Sequence, residues 1–363
     1  MGAESGDGTR DHYNPVMLLA GDLGGTKTLL GLFERGEPRP RHITSRAYPT
    51  QEFDSFTAIL DAFAQDVGRL PRPQSRGATT VDAAAVGVAG PIVNRSAKLT
   101  NIAWDVSAAE ITRRLNTPHV ALLNDLEAMA YSVGVLDDAE VVVLQRGERN
   151  KNGNAAVIAA GTGLGQAYLH FIDGHLLPVA SEGGHADFAA RTDREYELVR
   201  MLRTLYGRAE VEQVLSGPGL VNLHRFTHDG TACEAVEGLA PLEQPPAISE
   251  AGLTQRCAHC VEALEMFVEA YGAEAGNLGL RGVATAGVFV GGGIAPKILP
   301  ALQDGRFMQA FRAKTPLADL VSAMPVNVIV NPDAGLLGAA VAAQAVTGSK
   351  KARSAASTVQ PRR

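Results

Sequence analysis

The feature that most constrains this chain is a pattern used twice: an apolar strand, a glycine-rich turn carrying threonine, and a second apolar strand. The first copy runs Val16-Met-Leu-Leu-Ala-Gly21, then Asp22-Leu-Gly-Gly-Thr26, then Lys27 to Phe33. The second runs Ala155–Ala160, Gly161-Thr-Gly-Leu-Gly165 and Gln166–Ile172. Strand–turn–strand with glycines at the bend reads as a hairpin in which glycine supplies positive φ. The two copies match in pattern more than in letters. Two phosphate-sized hairpins in two halves point to an internal duplication.

The rest of the chain alternates strand and helix patterns, which makes the class α/β. Arg41–Tyr48 can supply a third strand, and Glu52–Gly68 carries Phe53, Phe56, Ile59, Leu60, Phe63 and Val67 at helical spacing. Val81–Ala89 and His119–Leu123 read as strands, and Ser107 with Glu110 forms a capping box for a helix to Leu115. From Thr192 to about Tyr271 the chain is mainly helical; Val288–Val290 and Val326–Val330 read as strands, and Gly335–Val346 as a closing helix. At 363 residues the chain suits two domains. We expect an extension over 1–15, a smaller α/β domain over 16–135, a larger one over 136–346 and a disordered tail over 347–363.

Composition narrows the function classes. Hydrophobic residues make up 45% and charged residues 20%, the profile of a soluble globular enzyme. A formal net charge of -6 argues against a polyanionic nucleic acid as partner, while leaving room for one nucleotide. No apolar run is long enough to span a bilayer, and Met1–Pro15 lacks an apolar signal core, so no membrane partner is expected and the default compartment is the cytoplasm. Cys233, Cys257 and Cys260 are too few for a disulfide framework. Cys257-Ala-His-Cys260 looks like half a zinc site, but no second cysteine pair completes it, and both thiols can pack within a helical pattern. His170, His175 and His185 match no compact metal motif.

Several segments carry chemistry. In Gly21-Asp22-Leu23-Gly24-Gly25-Thr26-Lys27, glycines let backbone N–H groups approach phosphate oxygens, Thr26 adds a hydroxyl, and Asp22 offers a carboxylate to a hydrated Mg²⁺. The stretch is not a Walker A loop, because Thr26 stands where that motif needs glycine and a strand follows. Gly161-Thr162-Gly163-Leu-Gly165 is not a dinucleotide fingerprint, because Gln166 replaces its third glycine. Gly291-Gly292-Gly293 closes a strand and suits close approach of a base or ribose. Each reads singly as a plain turn; together they suit a nucleotide lying across a cleft.

Asn124-Asp125 stands at a strand end and a helix mouth, where Asp125 can accept a hydroxyl proton and Asn124 can orient a diol; the bland alternative is an N-cap Asp for the helix Leu126–Val133. Glu182-Gly-Gly-His185 bends so that a carboxylate and an imidazole converge on vicinal hydroxyls, or is a surface turn. Glu212 precedes Leu215-Ser-Gly-Pro-Gly219; alone it would read as a solvated helix glutamate.

Taken together these residues resemble the bacterial glucokinase family, a hexokinase-like group. The resemblance runs from Leu18 to about Ala345 and rests most on Glu182-Gly-Gly-His-Ala-Asp-Phe188 and Leu215-Ser-Gly-Pro-Gly219, with Leu123-Asn-Asp125 and Asn331-Pro-Asp-Ala-Gly-Leu-Leu-Gly338. It implies a two-domain actin/hexokinase-like (ribonuclease H-like) α/β fold with a cleft, and phosphorylation of the glucose 6-hydroxyl by Mg·ATP. It implies Asp125 as base, Asn124, Glu182, His185 and Glu212 as sugar ligands, and Gly21, Asp22, Gly24, Gly25, Thr26, Gly161, Thr162, Gly163, Gly291, Gly292 and Gly293 at the nucleotide, Asp22 through Mg²⁺. Homodimers are common in the family. Lys27 departs from it, since Asn follows Gly-Gly-Thr in the typical loop. The related repressor/kinase (ROK) group shares the opening but carries a Cys-rich zinc motif after its Glu-x-Gly-His segment, where this chain has Ala186-Asp-Phe-Ala-Ala190. A ROK-type kinase or sugar-responsive repressor for another hexose is the alternative, weakened by the lack of room before Val16 for a DNA-reading helix-turn-helix. An actin-like ATPase working without sugar is a third reading, disfavoured by the Asn124-Asp125 and Glu182/His185 pairs.

Overall fold

A computed structural model describes residues 16–68, 81–90, 92–99, 102 and 104–348. The extension read over 1–15 and the tail beyond 348 lie outside the described residues. The chain divides into two compact units, Met1–Leu122 with Ala339–Arg363, and Leu123–Gly338.

The first unit is built on β1 (Met17–Leu23), β2 (Lys27–Glu34), β3 (Arg41–Pro49), β4 (Ala83–Val88) and, after the small sheet β5 (Ile92–Val93), β6 (Ser96–Lys98) and β7 (Asp105–Ser107), on β8 (Val120–Asn124). The main sheet has the order β3-β2-β1-β4-β8. β1 and β2 pair antiparallel, while β1 and β4 run parallel. Every residue of β4 is buried, as expected of an apolar run covered on both faces. α1 (Phe56–Val67) buries Phe56, Ile59, Leu60, Phe63 and Ala64, one stripe at i, i+3, i+4 spacing. Ser55 caps its first turn and Gly68, at φ +60°, ends it. Ser107 caps α2 (Ala108–Leu115) by accepting from the Glu110 N–H.

The second unit opens with α3 (Asp125–Ser132) and carries β9 (Val141–Gln145), β10 (Ala155–Ala160), β11 (Leu164–Ile172) and β12 (His175–Ser181). Helices α4 (Asp193–Tyr206), α5 (Gly217–His228), α6 (Gln244–Leu253) and α7 (Ala258–Gly282) follow. Then come β13 (Gly287–Gly291), the short α8 (Leu299–Leu302), α9 (Arg306–Arg312) and α10 (Ala318–Ala323), and β14 (Val326–Ile329). The last helix, α11 (Ala334–Gly348), runs on through Thr347, where a tail was expected to begin. The sheet order is β12-β11-β10-β13-β14-β9. Without β9 this repeats the first sheet strand for strand, including an antiparallel hairpin and a parallel neighbour. The duplication read from two hairpins therefore extends to the sheet topology.

The compact units divide at 122/123 along the chain. The packing of α3 explains this: Leu126, Ala130 and Val133 share a buried cluster with Ala155, Val157, Ala167 and Leu169. At the other end, the Gln344 side chain bonds the Gly36 N–H at 3.1 Å and the Gly36 carbonyl at 3.0 Å, which ties the end of α11 to the first unit.

Candidate functional site

β8 ends at Asn124 and α3 begins at Asp125. Asn124 has extended backbone (φ −70°, ψ 162°), and its Oδ1 accepts from the Glu127 N–H at 2.5 Å. The helix cap is therefore Asn124, and Asp125 is the first helical residue, which corrects the N-cap reading of Asp125. Asp125 Oδ1 accepts from its neighbour, the Leu126 N–H, at 2.9 Å. The residue keeps exposed surface, yet the protein around it strips enough water to push its carboxyl above the usual range. The bond from Leu126 opposes that shift, and the negative charge of Glu182 adds to it.

Glu182 and His185 frame a single 3-10 turn, Gly183–His185, after β12. Both side chains are exposed. The hydrogen-bond partner of His185 is not Glu182 but Glu210: Nδ1 lies 2.8 Å from Glu210 Oε2. That bond is the largest cause holding the imidazole above its ordinary pKa; burial opposes it, and the charges of Glu212, Glu210 and Glu182 reinforce it. Sequence reading missed Glu210. Its signal was the period-two run Arg208-Ala-Glu210-Val-Glu212, whose alternate residues share one side of an extended segment. Backbone bonds from Phe188 to Ala209, Val211 to Ala186 and Glu212 to Gly184, all 2.9–3.0 Å, zip that segment against the one after Glu182. Arg208 adds bonds to the His185 carbonyl at 2.7 Å and to Asp187 at 2.9 Å.

Glu212 is no solvated helix residue. Its Oε2 accepts from the Leu164 N–H at 2.7 Å, and a Cβ on Gly163 would lie 2.6 Å from that same oxygen. Glu182 thus acts on both Asp125 and His185, and Glu212 acts on His185. The structure brings Asp125, Glu182, His185 and Glu212 into one electrostatic neighbourhood of the second unit, with Asn124 next to Asp125 in the chain. An amide, an imidazole and several carboxylates supply the mixed donors and acceptors that a polyhydroxylated molecule needs.

Two glycine turns lie at the ends of the adjacent parallel strands β10 and β13. The Gly161 N–H bonds the Gly163 carbonyl, and the Gly217 N–H bonds the Gly161 carbonyl, both at 2.8 Å, so the first turn is fastened to the start of α5. Gly292 has φ +84°, and a Cβ there would sit 2.3 Å from the Ala160 carbonyl oxygen; only glycine fits. The buried Tyr271 hydroxyl accepts from the Ala160 N–H at 3.1 Å and lies 3.3 Å from the Gly291 carbonyl, joining the two strand ends. A cavity of about 610 Å³ opens beside the turns, lined by Gly161, Thr162, Gly217, Pro245, Gly293 and Lys297 among others. A Cβ on Gly161 or Gly293 would meet nothing within 4 Å, so bare backbone faces open space, as a nucleotide phosphate or ribose requires. Gly291 is different: it is buried, and a Cβ there would press the Met129 sulfur at 2.6 Å.

In the first unit the β1–β2 hairpin exposes Thr26 and Lys27. Thr50 holds it from behind, donating from its hydroxyl to the Gly24 carbonyl and from its N–H to the Thr26 carbonyl, both at 2.9 Å. Neither Gly24 nor Gly25 uses positive φ, contrary to expectation. Glycine is needed at Gly24 because a Cβ would approach the Lys27 carbonyl oxygen to 2.9 Å. Gly21 lies inside β1, where a Cβ would press Leu30 and Val86 at 3.1 Å, so it serves strand packing. Asp22 is half-buried and is the penultimate residue of β1.

The cysteines also depart from expectation. Cys257 and Cys260 do have companions: Cys233, His224 and His228 lie beside them.

The family model described as Glucokinase matches residues 19–346. The glucokinase of Nostoc punctiforme (strain ATCC 29133 / PCC 73102) is 36% identical over 346 residues, covering 90% of this chain and 99% of that protein. Among solved structures, the glucokinase from an Antarctic psychrotroph matches with a TM-score of 0.80 at 28% identity, covering 91% of this chain and 99% of that one. The ROK family glucokinase from Streptomyces griseus, solved in complex with glucose and AMPPNP, matches with a TM-score of 0.58 at 21% identity, covering 91% and 99%, and shares the fold.

Proposed function

This chain belongs to the glucokinase family and is a sugar kinase, an ATP:hexose 6-phosphotransferase, and we propose that it phosphorylates the 6-hydroxyl of D-glucose with Asp125 as general base. The observation that carries the base assignment is Asp125 itself. It stands at a strand end, released from capping by Asn124, with a carboxyl pushed up by burial and by Glu182. A carboxylate made more basic takes a hydroxyl proton more readily at neutral pH.

The Asn124 oxygen is engaged by Glu127, so its amide N–H groups remain to donate to a sugar oxygen. Glu182 and Glu212 accept sugar O–H groups. His185, its Nδ1 held by Glu210, presents Nε2 to another hydroxyl. The 6-hydroxyl gives its proton to the Asp125 carboxylate as its oxygen bonds the γ-phosphorus. The bond from that phosphorus to the β–γ bridging oxygen breaks, and its electron pair leaves with ADP. Backbone at Gly161–Gly163 cradles phosphate oxygens, and the cavity beside Gly293 takes the base and ribose. Gly24, Gly25 and Thr26 of the first unit would offer further phosphate donors, and Asp22 would hold a hydrated Mg²⁺. That ion would supply charge neutralisation on the phosphates.

The Streptomyces griseus protein, which holds both glucose and AMPPNP, supports this choice of substrates. No helix among the described residues is long and apolar enough to cross a membrane. The proposal places the enzyme in the cytoplasm as a homodimer. A coupled ADP-release assay with Mg·ATP and glucose, mannose, glucosamine or N-acetylglucosamine tests it. Glucose should give the highest kcat/KM. ADP formation independent of sugar, or a clear preference for another hexose, would refute the glucose assignment.

A further inference from the structure

Five side chains that the kinase reading leaves unused converge at one place in the second unit. His224 and His228 stand one turn apart at the end of α5, Cys233 follows in the connection, Cys257 caps α7 and Cys260 lies in its first turn. The ligand atoms of His224, His228, Cys233 and Cys260 all lie within 4.8 Å of one another. Cys233 Sγ is 3.8 Å from Cys260 Sγ and 4.0 Å from Cys257 Sγ, and Cys257 Sγ is 3.3 Å from His228 Nε2.

The Cys233–Cys260 separation is that of a tetrahedral metal site, and the 4.8 Å limit on all four donors leaves them a short closure from its remaining edges. With Zn–S of about 2.3 Å and Zn–N of about 2.0–2.1 Å, the tetrahedron edges are about 3.8 Å between sulfurs and about 3.6 Å between sulfur and nitrogen. A disulfide would need its sulfurs about 2.0 Å apart.

The imidazoles are set as ligands. His228 Nδ1 lies 2.8 Å from the His224 carbonyl; donating there, the usual outer support of a metal-bound histidine, fixes the tautomer and leaves Nε2 unprotonated, with the Cys257 sulfur 3.3 Å away. His224 Nε2 is buried and has no hydrogen-bond partner among the described residues. A buried polar atom without a partner is uncommon and calls for one. The two rings stack with centroids 3.7 Å apart, so both turn toward the same place.

We propose that His224, His228, Cys233 and Cys260 bind one structural Zn²⁺, with Cys257 near enough to replace His224 as fourth donor. Two thiolates and two neutral imidazoles make the site electrically neutral with a divalent ion, which suits burial. Thiolate and imidazole together select a soft or borderline d¹⁰ ion over Mg²⁺ or Ca²⁺. On binding, Cys233 and Cys260 each release a proton to solvent as the sulfur bonds the metal; nothing is oxidised or reduced. The ion ties the end of α5 to the start of α7. The chain between those ties carries Pro241, Leu242, Pro245 and Ser249, which wall the 610 Å³ cavity. The site is therefore a clasp on that wall, whatever the cavity binds.

The test uses the full chain, purified without chelators and freed of any histidine tag. Elemental analysis should find about one zinc per chain, and none in Cys233→Ser or Cys260→Ser. Chelation should lower the melting temperature, and added Zn²⁺ should restore it. Because the variants risk misfolding, Co²⁺ is also titrated into the chelated wild-type chain. Thiolate-to-cobalt charge transfer and the strong visible bands of tetrahedral Co²⁺ are expected. Absence of both zinc and the cobalt bands overturns the site, as does a disulfide among these cysteines in metal-free protein. An unchanged melting temperature on chelation overturns its structural role.

Discussion

Replacing Asp125 by Asn separates catalysis from stability because the geometry assigns the cap to Asn124. A general base contributes about 10²–10⁴ in rate, so kcat should fall by that factor, or about 2.7–5.4 kcal/mol of barrier. Stability should respond differently. The Asp125 carboxyl is harder to ionise in the fold than in the unfolded chain, where its value is 3.8. An acid with a raised folded pKa subtracts from stability once pH passes the unfolded value, and the deficit is complete above the folded value. Asn carries no charge and removes that deficit. Against this stands the lost attraction between a first-turn carboxylate and the helix dipole, about 0.3–1 kcal/mol. The two effects oppose, and the cap bond from Glu127 to Asn124 is untouched, so the melting temperature should move little. Steady-state ADP release and thermal denaturation on the same preparation measure both quantities. In wild-type enzyme, kcat/KM should fall on the acid side at a pH above the ordinary carboxylate range, and that limb should vanish in Asp125→Asn. Near-normal turnover in the folded variant would remove Asp125 as base and the mechanism with it.

Other substitutions test the surrounding framework. Glu210→Gln should lower the His185 pKa, because the Glu210 bond is its largest raising cause, and an NMR titration of the imidazole that shows no downward shift counts against this account. His185→Ala should raise the KM for glucose strongly while leaving nucleotide affinity nearly intact, as read from sugar-dependent kinetics beside binding of an ATP analogue. Gly163→Ala places a Cβ 2.6 Å from the Glu212 carboxylate, the movable end of a side chain, so the KM for glucose should rise with little change in melting temperature. Tyr271→Phe strips the partner from the buried Ala160 N–H and should cost about 1–3 kcal/mol by denaturant unfolding; a loss below that range would mean the hydroxyl does not join the strand ends.

What could be read from the sequence, and what could not, follows the range of the interactions. β1 and β10 were legible because each is a continuous apolar run ending in glycines, a local pattern. The parallel pairing of β1 with β4 and β10 with β13 was not, since no local residue encodes which distant strand a buried run will meet. Among site residues, Glu182, His185 and Glu212 stood out beside Gly and Pro punctuation, while Glu210 gained its role only when its segment zipped against the one after Glu182. The roles of Asn124 and Asp125 were ambiguous because both residue types cap helices well. Only backbone geometry decides between them, and ψ 162° at Asn124 does so.

The cysteines show the same limit from another side. A search for metal ligands that asks for a second cysteine pair stops at Cys257 and Cys260, although His224-x-x-x-His228 supplies two donors on one face of a single helix. Helical spacing made that pair a unit, but joining it to Cys260 needed α5 and α7 to pack side by side, and their shared buried residues Leu220, Leu223, Ala263, Leu264 and Phe267 bring that about. Hydrophobic burial, which is nondirectional, thus positions a directional site. His224 Nε2, buried and without a hydrogen-bond partner among the described residues, is the polar atom that such packing leaves to a metal ion.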